Sequence, residues 1–150
     1  MLKIAVDFAS LLLAALVGGA IFGVWLTLNP AGLNAATYVT QQQQAIRTLN
    51  VAMPLLGALT IILTLTAAGF AFDDRPRFML LLAGAACYAA VGVITRFLNQ
   101  PINASVIAWS PAAPPENWTS LPDAWWRLHQ LRTALGIAGL GALAAAALVR

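Results

Sequence analysis

Trp125, His129 and Arg132 are spaced i, i+4 and i+7 within Trp125-Trp126-Arg127-Leu128-His129-Gln130-Leu131-Arg132, so a helix would set all three on one face. His129 is the only histidine of the chain, and imidazole is the side chain best suited to accept a proton near neutral pH. A guanidinium on the same face suits a developing oxyanion. An indole adds flat apolar surface for an aromatic ring. The group stands directly before an apolar run that ends at Val149. Ionisable side chains at the mouth of a membrane span are costly there and are functional candidates for that reason.

Two further segments carry polar faces toward the same end. Gln43, Arg47 and Asn50 fall at i, i+4 and i+7 ahead of the second apolar run, and Arg96, Asn99 and Asn103 fall at i, i+3 and i+7 after the third. Pro101 is placed to end the third helix before Asn103. Gly92 and Gly136 continue two of these faces inward, where a small residue allows either close helix approach or space for a ligand.

These residues sit in a strongly apolar chain. Of 150 residues, 61% are hydrophobic and only 9% charged, where a soluble domain carries roughly 25% charged residues. Mean hydropathy is +0.81. The net charge of +3 comes from eight basic residues against five acidic ones, without a basic stripe, which argues against nucleic-acid binding. One cysteine, Cys87, excludes an internal disulfide, and one His with one Cys makes too small a set for a metal or for bis-His haem. Cys87 reads as a small buried hydrophobe.

A membrane helix needs roughly 20 mostly apolar residues. Four segments qualify: Phe8 to Leu28, Val51 to Phe72, Phe78 to about Leu98, and about Trp125 to Val149 with its apolar core from Leu131. The first is longer than a signal-peptide core and reads as a retained span. The expected fold is an all-α integral membrane four-helix bundle, up-down-up-down, forming one domain with a short inner hairpin at Asp73-Asp74-Arg75-Pro76-Arg77 and long outer loops. Lys3, Arg75, Arg77 and Arg150 would share the inner side, with Arg47, Arg96, Arg127 and Arg132 opposite. The second four are embedded in or beside helices. Discounting them puts both termini in the cytoplasm by the positive-inside rule.

The first outer loop begins with the helix stop Asn29-Pro30-Ala31-Gly32. It continues through Gln41 to Gln44 as an interfacial helix expected to run on into span two, with Pro54 as a kink. The second carries Pro101, Pro111, Pro114 and Pro115 with Trp109 and Trp118. Ser120-Leu121-Pro122-Asp123 reads as a capped helix start. The sequons at Asn103 and Asn117 carry little weight. Trp118 and Arg127 read most simply as interface anchors. Arg132 lies inside the apolar run with no acidic residue at its depth, so an anionic or carbonyl-bearing ligand would supply its partner.

Asn99-Gln100-Pro101-Ile102-Asn103 after an arginine-ended third span, a Pro/Trp loop, and Trp125-x-x-x-His129-x-x-Arg132-Thr133 together resemble the anthrone-oxygenase-like family of small four-span membrane proteins. The resemblance covers most of the chain in layout, and about 15 positions carry it specifically. It implies oxidation of anthrones to anthraquinones by molecular oxygen without a cofactor, in a bacterial inner membrane. It points to Asn99, Asn103, Trp125, His129 and Arg132. On that reading His129 is the base, and Arg132 with Arg96 stabilises the oxyanion, joined by Arg47 if it converges. Asn99 and Asn103 orient the carbonyl, Trp125 and Trp126 hold the rings, and Asn50 lines the substrate site. Partners would be membrane lipid, a hydrophobic small molecule and oxygen, with homo-oligomerisation left open. The alternative is a non-enzymatic membrane protein that binds a lipid or a partner subunit.

Overall fold

The structure, a computed structural model, describes residues 1–149, and Arg150 of the inner charge count lies outside the described residues. Among the described residues the regular structure is entirely helical. Four helices are long and apolar enough to cross a membrane: α1 (Leu2–Thr27), α3 (Ala52–Phe70), the composite helix Arg75–Ile107, and α6 (Ser120–Leu148). The composite helix consists of α4 (Arg75–Ile94), a π-helical turn (Thr95–Asn99) and α5 (Gln100–Ile107). A short helix, α2 (Ala35–Leu49), precedes α3. α1 packs on α3 and α6, and α4 packs on the same two. Each long helix thus neighbours its sequence successor, and α6 closes the ring onto α1, which is the up-down-up-down bundle.

Helix ends differ from expectation where tertiary contacts intervene. α1 starts at Leu2 rather than Phe8, because Asp7 forms an ion pair with Arg77 of α4 and its charge does not stop the helix. The α3–α4 turn is closed by Asp74, whose carboxylate accepts from Arg77 N at 3.3 Å with Pro76 in the first turn. The helix does not end at Pro101. The π turn before it widens the backbone by one residue, and Gln100 N bonds to Thr95 O. A wider turn of this kind accommodates a ring that lacks an N–H and would clash in an α-helix.

α2 does not run on into α3 either. The chain turns at Asn50 and Val51, because Pro54 cannot donate to the Asn50 carbonyl. Pro54 sits instead in the first turn of α3, where no donor is needed. α6 starts at Ser120 without a side-chain cap. The Ser120 hydroxyl donates back to Asn117 O at 3.2 Å, so the expected capping box is not made.

Small residues bring the helices together. Tyr88 of α4 donates to Ala14 O of α1 at 2.7 Å and lies 3.3 Å from Gly136 O of α6, joining three helices through one hydroxyl. Gly136 faces Gly18 across the α1–α6 contact, and Gly139 lies against Cys87 and Tyr88 at the α4–α6 contact. Cys87 is half-buried there. The outward faces carry Phe8, Leu12, Leu16, Leu59, Ile62, Phe97 and Ile137, as expected where lipid is the solvent.

α2 and α5 form a cap at the end of the bundle opposite the termini. Tyr38, Val39, Ile46 and Val106 make its core, flanked by Trp109 and Trp118. Burial pushes the Tyr38 phenol above its ordinary pKa, so the cap core stays uncharged. Asn34 starts α2 by accepting from Thr37 N at 2.9 Å, after a turn in which Gly32 takes φ +80°. Gln43 fastens the two helices. Its Nε2 lies 3.1, 3.3 and 2.8 Å from the carbonyls of Val106, Ile107 and Trp109 at the end of α5. Gln43→Leu should take the side-chain donor from those carbonyls, of which Val106 O keeps Trp109 N at 3.1 Å, at a cost of ~1–3 kcal/mol. Faster amide hydrogen exchange confined to α5 and the loop after it would show the loss, and wild-type protection there would refute it.

Candidate functional site

The capped end holds two joined chambers. The polar chamber, about 60 Å³, lies between α1, α2, α3, the π turn and α6, and its polar lining is Gln42, Asn50, Thr95, Asn103, Trp125, His129 and Arg132. The apolar chamber, about 210 Å³, reaches deeper between α3 and α4, along Gly57, Ala58, Ile61, Val91 and Gly92, with Tyr88 also in its wall. Ile21, Met53, Pro54, Thr95 and Arg132 line both, so the chambers meet at the Arg132 side chain. A cavity of ~150 Å³ admits benzene, which makes the deeper chamber large enough for an aromatic ligand.

His129 is fully buried. Its Nε2 lies 3.2 Å from Ile21 O. A carbonyl only accepts, so this contact places the proton on Nε2 and leaves the lone pair on Nδ1. Nδ1 has no protein partner. The ring stacks on Trp125 (centroids 4.9 Å apart, planes 5° apart) and lies against Trp126 (5.9 Å, 25°). The imidazole is thus held by one carbonyl and two indoles, with a lone pair that no protein group uses. Trp125 Nε1, Arg132 Nε and Asn103 Oδ1 are likewise buried without a partner. Buried polar groups are nearly always satisfied, so four unpaired ones on residues that surround one chamber point to a polar ligand or water there.

The other predicted residues divide. Asn50 and Asn103 meet through Nδ2 of Asn103 and Oδ1 of Asn50 at 3.2 Å, and both line the polar chamber. Asn99 is buried, and its Nδ2 approaches Trp125 O at 3.4 Å. It ties the third span to α6 and lines neither chamber. Arg96 lines the apolar chamber beside Arg132. Arg47 is exposed and lines neither chamber, and Trp126 touches the site only through His129. The π turn accounts for the split in the third span. One extra residue per turn rotates Arg96 away from Asn99 and Asn103, which an uninterrupted α-helix would have aligned.

Gln42, Thr95 and Tyr88 are chamber residues that spacing around the charged groups did not single out. Gln42 had a signal: with Ala45, Ile46 and Leu49 it forms an i, i+3, i+4, i+7 face, and that face lines the polar chamber. Thr95 had none, because its hydroxyl bonds back to Val91 O at 2.7 Å within its own helix. Among the described residues no three His, Cys, Asp or Glu side chains gather as a metal site would require.

A four-span helical bundle with a histidine–arginine cavity under a helical cap defines a class of small membrane proteins. Within it, the chain belongs to the anthrone oxygenase family, whose model matches residues 43–142. The matched stretch runs from Gln43 in α2 into α6 and contains Asn50, Arg96, Asn99, Asn103, Trp125, His129 and Arg132. No curated protein and no solved structure matches the chain.

Proposed function

We propose that this protein is a membrane-embedded, cofactor-independent oxygenase acting on hydrophobic, enolisable aromatic ketones of the anthrone type. The observation that carries this reading is the unpaired Nδ1 of His129 in the chamber it shares with Arg132. Nδ1 takes a proton from the CH2 carbon opposite the ketone. The electron pair left behind delocalises onto the ketone oxygen, where the Arg132 guanidinium stabilises it. The enolate is electron-rich enough to reduce oxygen itself. One electron passes to O2, and the carbon radical and superoxide combine into a peroxide anion. Cleavage of its O–O bond with loss of the remaining hydrogen on that carbon gives the second ketone and hydroxide. The proton held by His129 converts hydroxide to water. The sum is CH2 plus O2 to C=O plus H2O.

Asn103, held by Asn50, is positioned to orient the substrate carbonyl, and Trp125 offers a flat wall. The rings occupy the apolar chamber, whose mouth lies between α3 and α4 where Gly92 and Ala58 are exposed. The test is oxygen uptake with anthrone by the purified protein in lipid nanodiscs. One O2 consumed per anthraquinone formed, faster than in empty nanodiscs, is the expected result. A rate equal to that of empty nanodiscs, with a lipid bound stoichiometrically in native mass spectrometry, would move the protein to the non-enzymatic binding class.

A further inference from the structure

The apolar chamber has an electrostatic imbalance that a neutral anthrone would not correct. Two guanidiniums, Arg96 and Arg132, line it, and no Asp or Glu does. Among the described residues the only ion pair is Asp7–Arg77, at the far end of the bundle. Arg96 has one hydrogen-bonded contact, the neutral Oε1 of Gln100 at 3.2 Å. Arg132 Nε has none. At 1.5 Å per residue, Arg96 stands roughly 30 Å along the helix from Arg75, at the edge of a hydrocarbon layer about 30 Å thick. Arg132 stands roughly 24 Å from the inner end of α6 by the same rise, within that layer. A cation at such depth requires an anion or a strong dipole.

The two arginines are not equivalent. Arg132 lies where the chambers meet, next to the His129 chemistry. Arg96 lines only the apolar chamber and is exposed on its outer side, at the chamber mouth. Gly92 shares that mouth one turn back, and a Cβ there would touch nothing within 4 Å. The space beside Arg96 is therefore open, broad enough for a planar ring, and walled by apolar side chains.

We propose that Arg96 is a specificity-determining residue and that the ligand of the apolar chamber is an aromatic acid. Its rings lie between Gly57, Ile61 and Gly92, and a carboxylate on the ring system pairs with the Arg96 guanidinium. This places Arg96 outside the oxyanion chemistry and assigns it to recognition. It rests on the oxygenase reading for the reaction that follows, but binding does not depend on turnover.

The probe pair is 2-naphthoate and its neutral isostere 2-naphthamide, titrated calorimetrically against the protein in phosphatidylcholine nanodiscs, with empty nanodiscs subtracted. The acid should bind about tenfold tighter than the amide, the scale of one charge-assisted pair. Arg96→Gln should erase that preference and leave amide binding unchanged, and Arg96→Lys should restore most of it. Gly92→Phe should abolish binding of both by filling the chamber. Arg96 is exposed and the Gly92 site is open, so neither change removes packing, and unaltered melting temperatures are expected of all three variants. Equal binding of acid and amide to the wild type, or no binding of either, overturns the inference. So does a preference that survives in Arg96→Gln, or one lost because lipid phosphate already occupies Arg96. Anthrone turnover absent alongside intact acid selectivity would sink the oxygenase reading and leave this site standing.

Discussion

Replacing His129 with alanine should lower anthrone-dependent oxygen uptake by about 10²–10⁴-fold, the range a positioned general base contributes. The effect belongs to one atom. Nε2 is engaged with Ile21 O, so only the unpaired Nδ1 is free to take a proton. Alanine is a good helix former, so α6 persists, but the indoles of Trp125 and Trp126 lose the ring they stack on. His129→Gln separates the two consequences. Its amide is long enough to donate toward Ile21 O and refill the space, yet it is not a base. The glutamine variant should regain most of the melting temperature that alanine loses and none of the turnover. Measured kcat values within threefold of wild type in either variant would remove His129 from the chemistry.

The largest stability effect should come from Gly139→Val. α4 and α6 are in close contact here: a Cβ at Gly139 would lie 3.0 Å from both Cys87 Cβ and Tyr88 Cε2, and 3.2 Å from Tyr88 Cδ2. Tyr88 cannot swing aside freely, since its hydroxyl is held by Ala14 O. A branched side chain must therefore push the helices apart, which costs about 3 kcal/mol in an overpacked core and strains the hydroxyl contact between three helices. Gly141, two residues on, faces open space. Gly141→Ala removes a helix-weakening glycine and should be neutral or stabilising by up to ~1 kcal/mol. Unfolding midpoints in a denaturing-detergent titration distinguish the two, and equal midpoints for Gly139→Val and wild type would contradict the packing described.

The bundle and its polar end were legible in the chain because the bilayer imposes a coarse rule. Only helices and closed barrels hide their backbone in hydrocarbon, and continuous apolar runs of about 20 residues have the length of the helix, so four such runs imply four helical spans. Trp125, His129 and Arg132 kept their shared face because α6 is an uninterrupted helix from Ser120 to Leu148, and i, i+4, i+7 spacing holds throughout such a helix. The same spacing failed for Arg96, Asn99 and Asn103, where the π turn inserts an extra residue. It also failed on α2. Gln43 turned to the carbonyls of α5, Gln42 took the chamber, and Arg47 was left outside.

The sequence by itself determined the number of spans, the all-helical class, the end of the bundle where polar groups collect, and the resemblance that the family match bears out. The first three follow from local composition and periodicity, which a single chain carries in full, and the resemblance rests on the Asn99–Asn103 and Trp125–Thr133 motifs. Only the tertiary structure decided which predicted residues meet. It put the free lone pair of His129 on Nδ1 by bringing a carbonyl of α1 against Nε2. It made Asn99 a tie and Asn103 a chamber wall. It also separated the two glycines, Gly136 closing a helix contact and Gly92 leaving a space. The reason is physical: a spacing names the face a residue occupies, but the angle and offset at which that face meets its neighbours come from packing between helices far apart in sequence.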